Sequence, residues 1–483
     1  MAVMRFASAL LAAASLAVAA PSPPAPLPTS IATSELNVDV AIVGAGASGG
    51  YAAVRLKEDF GKTIAVIEKG AALGGHVSTY DDPVAGRAFE FGVQTFNDYG
   101  PAADFFDRLG IEYSEGPRAG LTDMYVDFRT GDQVAFVPAA FFPNTLTALQ
   151  TFLDVVAPWE NLILPGYWNF PDPEDIPADL LLPFGDFVVK HGIQDCVNLV
   201  FQITGMGTGD MKNSLTMYVL SAFGPPMMRA FLGVDSIFTP NSRRNIEVYE
   251  KIQARLASEL LLDSTVVQSE RSNTGHILWV KNHSTGVYTL VRAAKLLIAI
   301  EPTKANMKPF ALDAEEKAVF GKFKHQRVHA GIVSHPQLPQ GISIVNTVVE
   351  AVPSNYLELP KPNFNGRFDH MGAGSSNWRV LMVGDEKFDS CKAQKLVKKN
   401  FRDMRAKGTL PSGGPVDVEI KAWADHGAMH MHFPKKEIEE GYIQRLYALQ
   451  GRTQTWWTGG AFSHQFQSVL WAFDDVLLGN MGL

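Results

Sequence analysis

Between Val38 and Leu56 the chain reads VDVAIVGAGASGGYAAVRL, an apolar run that breaks into glycines and resumes as an Ala-rich, helix-prone segment. Val38, Val40, Ile42 and Val43 predict a strand buried on both faces, as in a parallel sheet. A second apolar run, Thr63 to Ile67, predicts a neighbouring strand that ends in Glu68. From about Asn97 to Pro240 the spacing turns mainly helical, with Leu146 to Val156, Leu182 to Gly192 and Ser214 to Gly224 separated by Pro and Gly. Ile246 to Leu261 continues as an amphipathic helix. Ser264 to Glu270, His276 to Asn282 and Val287 to Ala293 predict a small antiparallel unit, and Lys295 to Pro302 a further buried strand. After mixed strands and polar loops, the chain closes with a helix, a strand at Thr455 to Thr458, a glycine pair and a last helix.

The glycines give this pattern its chemistry. Gly44, Gly46 and Gly49 have GxGxxG spacing at the carboxyl end of a strand. The first permits a tight turn, the second lets a pyrophosphate approach bare backbone, and the third lets helix and strand pack closely. The anion then lies on the helix N-terminus, where unpaired N–H groups and the helix dipole favour it. Glu68 ends the second strand, where a carboxylate accepts hydrogen bonds from the adenosine ribose and opposes a 2′-phosphate. Gly74-Gly75, followed by His76, places a second bare segment near the same ligand.

At 483 residues the chain is too long for one ordinary core, and two intermingled domains are expected. An apolar content of 46% excludes a disordered chain. Arg5, the Ala/Leu run Phe6 to Val18 and Ala17-Val18-Ala19 predict a secretory signal over residues 1–19, followed by a proline-rich spacer over 20–35. This implies a secreted or vesicular protein with no transmembrane segment after cleavage. The formal charge of −8 gives no basis for a nucleic-acid partner. Cys196 and Cys391 are too few for a disulfide scaffold and either pair or stay free. Asn282-His283-Ser284 is a glycosylation sequon, occupied or not. The histidines between Asp425 and His432 lack the motif spacing of a metal site, and no metal is expected.

Strand, GxGxxG, helix, a strand ending Glu68-Lys69 and then Leu73-Gly74-Gly75-His76 resemble FAD-binding proteins of the amine-oxidase type. With Leu182 to Gly192 and Leu446 to Trp471 added (LYALQGR, TWWTGG, then SVLW), the mature chain resembles the fungal β-cyclopiazonate dehydrogenase family, and also polyunsaturated fatty acid isomerase. The resemblance implies an α/β protein: a Rossmann-like FAD-binding domain from 36–96, 241–302 and 439–483, with an inserted α+β substrate or cap domain from 97–240 and 303–438. It implies FAD as cofactor, with adenine on the backbone of Val266 or Val267.

His76 stands where Arg is usual. Since the fungal family includes histidyl-linked FAD, His76 either bears the flavin or hydrogen-bonds it, with His464 as the competing attachment site. Gly459-Gly460 departs from relatives that carry Asp or Glu at the second position to bind a ribityl hydroxyl; backbone N–H groups or Ser463, His464 and Gln465 would replace that contact. His464 and Gln94 are the candidate catalytic groups. Tyr167, Trp168, Phe170, Met217, Met227 and Met228 either line an apolar cavity or pack the cap core. The implied function is an FAD-dependent oxidase or dehydrogenase acting on an apolar small molecule of secondary metabolism. The alternatives are a redox-neutral double-bond isomerase of a fatty-acid-like substrate, or a secreted nucleotide-binding protein without turnover.

Overall fold

The computed structural model describes residue 27 and residues 31–116, 120–205 and 208–483. The predicted signal, and the spacer before residue 31 apart from Leu27, lie outside the described residues. Among the described residues no helix is long and apolar enough to cross a membrane.

The first sheet is built from separated stretches: β1 (Ser34–Val43), β2 (Ile64–Ile67), β3 (Leu260–Leu261), β4 (Ser264–Ser272), β5 (Gly275–Asn282), β6 (Tyr288–Ile298) and β7 (Thr455–Trp457). Their order is β3-β2-β1-β6-β5-β4, with β7 pairing β6 off this path. β1 runs parallel to β2 on one side and to β6 on the other, so Val40 to Val43 are buried on both faces, as their unbroken apolarity predicts. Helix α1 (Ala47–Glu58) makes the crossover to β2 and packs its small residues against the last helix, α2 (Gln467–Asn480).

One expectation is corrected here. Val287 to Ala293 and Lys295 to Pro302 are not two strands: β6 runs unbroken from Tyr288 to Ile298. No Gly or Pro interrupts it. Its first half pairs antiparallel with β5 and its last three residues pair parallel with β7, so one strand joins both parts of the sheet.

A second, mixed sheet of seven strands draws on Thr122–Asp127 and Asp132–Gln133 and on the strands from Lys324–Ser334 to Glu419–His432. The helix Ser390–Ala406 covers it, burying Val397, Phe401 and Met404 against Phe128, Phe368 and Met382. Helices at Leu146–Val156, Phe184–His191 and Thr216–Ala222 fall within the stretches of helical spacing and share one apolar core with the first sheet. Cys196 is buried, Cys391 is exposed, and both are free.

Candidate cofactor and substrate site

The turn after β1 is a cradle that side chains would fill. Gly44 has φ +94°, and a Cβ there would lie 2.8 Å from the Ala299 carbonyl oxygen. A Cβ on Gly49 would fall 1.9 Å from the Gly44 carbonyl oxygen. Gly75, at φ +57°, faces Gly46 so closely that its Cβ would be 2.9 Å from the Gly46 Cα. The two glycine motifs therefore meet backbone to backbone. Gly46 caps α1 without a side-chain hydrogen bond, which leaves first-turn N–H groups for an anion. Glu68 lies beside this turn, accepting from Ala45 N–H and Gly70 N–H at 2.8 Å each. Val267 sits in a bulge where the β4–β5 register shifts, so no residue of β5 pairs with it. These features fit a dinucleotide: phosphates at the turn, ribose at Glu68 and a base at the bulge.

His76 follows the second glycine pair. Its ring stacks on that of His426 with centroids 5.0 Å apart, and the His426 backbone lies beside it. Although His76 and His426 retain some accessible surface, both lie deep among protein atoms. Desolvation takes His76 down to about 4 and His426 and His430 to about 3, so all three are uncharged near neutral pH.

His426 and His430 come from the strand Glu419–His432, which pairs with Lys324–Ser334. The register shifts once beside each histidine, and His430 has φ +52°. Sequence periodicity missed this, because each bulge re-aims side chains that a regular strand would alternate. Among the described residues no three His, Cys, Asp or Glu converge as metal ligands.

The last motif is placed differently from expectation. His464 is almost fully buried, and its ring hydrogen-bonds the backbone carbonyl of Ile163. It thus ties the chain after the glycine pair to the helical segment, and its ring is not part of the main cavity wall, where a catalytic group is expected. The Ser463 hydroxyl is likewise engaged by the Pro165 carbonyl. Gln94 folds back on its own loop, its amide donating to the Glu90 and Gly92 carbonyls at 3.0 Å each. It contributes nothing to the main cavity wall.

That cavity, of about 410 Å³, opens between Gly460-Ala461 and the histidine strand. Tyr167, Tyr218, Phe323 and Phe433 form aromatic walls, and His430, His432 and Gln465 add uncharged polar atoms. Its charged lining residues, Asp210 and Lys435, are of opposite sign. Of the other residues expected at a cavity, only Tyr167 reaches this one. Met217, Met227, Met228 and Phe170 are buried core, and Trp168 stacks on Phe473 at 5.2 Å.

A parallel βαβ cradle that fits a dinucleotide, set beside an aromatic cavity and a second mixed sheet, defines a fold of the amine-oxidase plan. Residues 42–109 match the NAD(P)-binding Rossmann-like domain. The chain is 30% identical over 446 residues to beta-cyclopiazonate dehydrogenase of Aspergillus flavus, covering 92% of each chain. It is 32% identical over 430 residues to an FAD-dependent oxidoreductase of Monascus ruber, covering 88% of each. It belongs to this family of fungal FAD-dependent oxidoreductases and is an enzyme of that kind. Among solved structures, the fatty acid isomerase of P. acnes superposes with a TM-score of 0.72 at 16% identity, covering 92% of this chain and 99% of that one. Cyclohexylamine oxidase of Brevibacterium oxydans gives 0.58 at 16% identity, covering 92% and 98%. At such identities the likeness is one of fold.

Proposed function

We propose that this enzyme oxidises a neutral, largely apolar small molecule of fungal secondary metabolism, and that its FAD is attached through His76. The observation that carries the substrate class is the cavity. Its volume suits a small molecule, its walls are aromatic, and its histidines are held uncharged by burial. Asp210 and Lys435 offset one another, so the lining offers no net anionic site for an amine cation.

When bound, the flavin accepts a hydride equivalent from a substrate carbon. The residues orient that carbon and exclude water. Support for attachment comes from His76: it follows the close-approach glycines, and it stays neutral and hence nucleophilic far below pH 7. The bond would join one ring nitrogen of His76 to a methyl carbon of the flavin, with one proton leaving each partner and two electrons passing through the ring system to molecular oxygen or another acceptor. The N-terminal pattern supports a secretory route, which sequencing the mature N-terminus would check.

The test is acid precipitation of the purified protein followed by peptide mapping, together with turnover of candidate aromatic and isoprenoid substrates. A yellow pellet, flavin on the peptide containing His76, and a product two hydrogens lighter with stoichiometric peroxide or reduced acceptor are expected. A colourless pellet would refute attachment. A product of unchanged mass with no acceptor consumed would refute oxidation and favour the isomerase.

A further inference from the structure

We propose that Glu301 is a cofactor-binding residue whose carboxylate accepts a hydroxyl hydrogen bond from the polyol chain of the dinucleotide, at the spot that Gly460 leaves without a side chain. The inference rests on the FAD reading above and assigns a contact that neither glycine motif can make.

Glu301 lies three residues beyond β6, between the two places where backbone is laid bare. On one side, Ala299 and Ile300 press on the phosphate turn: a Cβ on Gly44 would meet Ile300 Cγ2 at 2.7 Å, and one on Gly49 would meet Ala299 Cβ at 3.2 Å. On the other side, a Cβ on Gly460 would lie 2.8 Å from Glu301 Oε1. The carboxylate of residue 301 thus occupies the space into which a residue-460 side chain would project. The backbone N–H groups of Gly460 and Ala461 lie close enough to favour its ionised form. Its Oε2 is shut off from solvent and has no partner in the protein, although part of the side chain stays accessible. A buried carboxylate oxygen without a donor is rare and calls for one.

The neighbours leave a ligand as the donor. Ser463 and His464 are bonded elsewhere, to the backbone of Pro165 and of Ile163. Gln465 turns its amide toward the same spot, since a Cβ on Gly460 would meet its Nε2 as well. A dinucleotide with its phosphates at Gly44 to Gly49 and its reactive ring toward the cavity beyond Gly460 must pass its connecting chain by Glu301. A flavin carries hydroxyls on that chain. Burial raises Glu301 to about 8, so a hydroxyl donated to it would favour the ionised form and release a proton on binding below that pH.

The experiment uses full-length chain in a His76→Ala background, so that cofactor binding is reversible, and titrates flavin-free protein with FAD and, separately, with ADP, which lacks the polyol chain. Glu301→Gln and Glu301→Ala should weaken FAD roughly ten- to hundredfold, the loss expected for a hydrogen bond to a charged group, and leave ADP affinity unchanged. Glu68→Ala should weaken both ligands. Unchanged FAD affinity in both Glu301 variants, or equal loss of FAD and ADP, would overturn the proposal while leaving the flavin reading intact. Absence of flavin from the wild-type protein would overturn that reading and this proposal with it.

Discussion

At Gly49 the smallest side chain already collides, since its Cβ would sit 1.9 Å from a backbone oxygen that cannot swing away. Gly49→Ala should therefore push α1 off β1 and abolish flavin binding, read as loss of the flavin absorbance of the purified protein. Gly479, in the last turn of α2, is the matched control: it has ordinary helical backbone and nothing within 4 Å of its Cβ position. There the same change should leave flavin content intact and raise stability by about 0.5–1 kcal/mol, because alanine loses less backbone entropy on folding. Glu68 acts through polar contacts instead. Its two oxygens organise the Ala45 and Gly70 N–H groups, so Glu68→Ala should loosen the turn and, on the dinucleotide reading proposed above, remove the ribose acceptor with it.

Among elements, β7 is the short strand that carries Gly459-Gly460, and a buried ion pair keeps it in place. Arg271 of β4 bonds Glu316 in the helix Ala314–Phe320 at 2.5 and 2.9 Å and also donates to Thr455 Oγ1 at 3.1 Å. Both charged side chains are almost fully buried, so Arg271→Met would strand an unpaired carboxylate and should destabilise the protein by about 3–5 kcal/mol, measured by urea unfolding. Sequence revealed the elements whose signal is local: the βαβ unit with its glycines and Glu68, and helices such as Leu146–Val156, whose apolar spacing and punctuation lie within one segment. What depends on register or on distant contacts was not legible. β6 looked like two strands because its partners change midway, the two bulges that set His426 and His430 have no periodic signature, and Glu301 acquires meaning only beside Gly460. The contact of His464 is hidden for the same reason, since its backbone partner Ile163 lies in the helical segment.

Across the whole molecule, buried titratable groups of two kinds set opposite limits on stability. His76 and His276 fall to about 4, and His426 and His430 to about 3, whereas each would titrate near 6.5 when unfolded. Below pH 6.5 the unfolded chain takes up protons that the folded chain refuses, so acid favours unfolding. Glu301 and Asp474 rise to about 8, and Glu90 to about 7, from ordinary carboxyl values near 4. Above those ordinary values the unfolded chain has released protons that the folded chain still holds, so raising the pH favours unfolding until the folded groups ionise. From about pH 4.5 to 6.5 the two sets oppose one another; from 6.5 to 8 the carboxyls act with no histidine to offset them. Thermal melts of flavin-free protein should therefore peak near pH 6.5 and decline on both sides. Glu301→Gln and Asp474→Asn should each flatten the alkaline decline and steepen the acid limb between about pH 4.5 and 6.5, because each removes one proton retained only by the folded chain and so one group that opposes the histidines there. Bound FAD should flatten the alkaline limb through Glu301, whose ionised form the polyol hydroxyl would favour. An alkaline limb that neither substitution nor flavin alters would show that these carboxyls do not hold their protons in the folded enzyme.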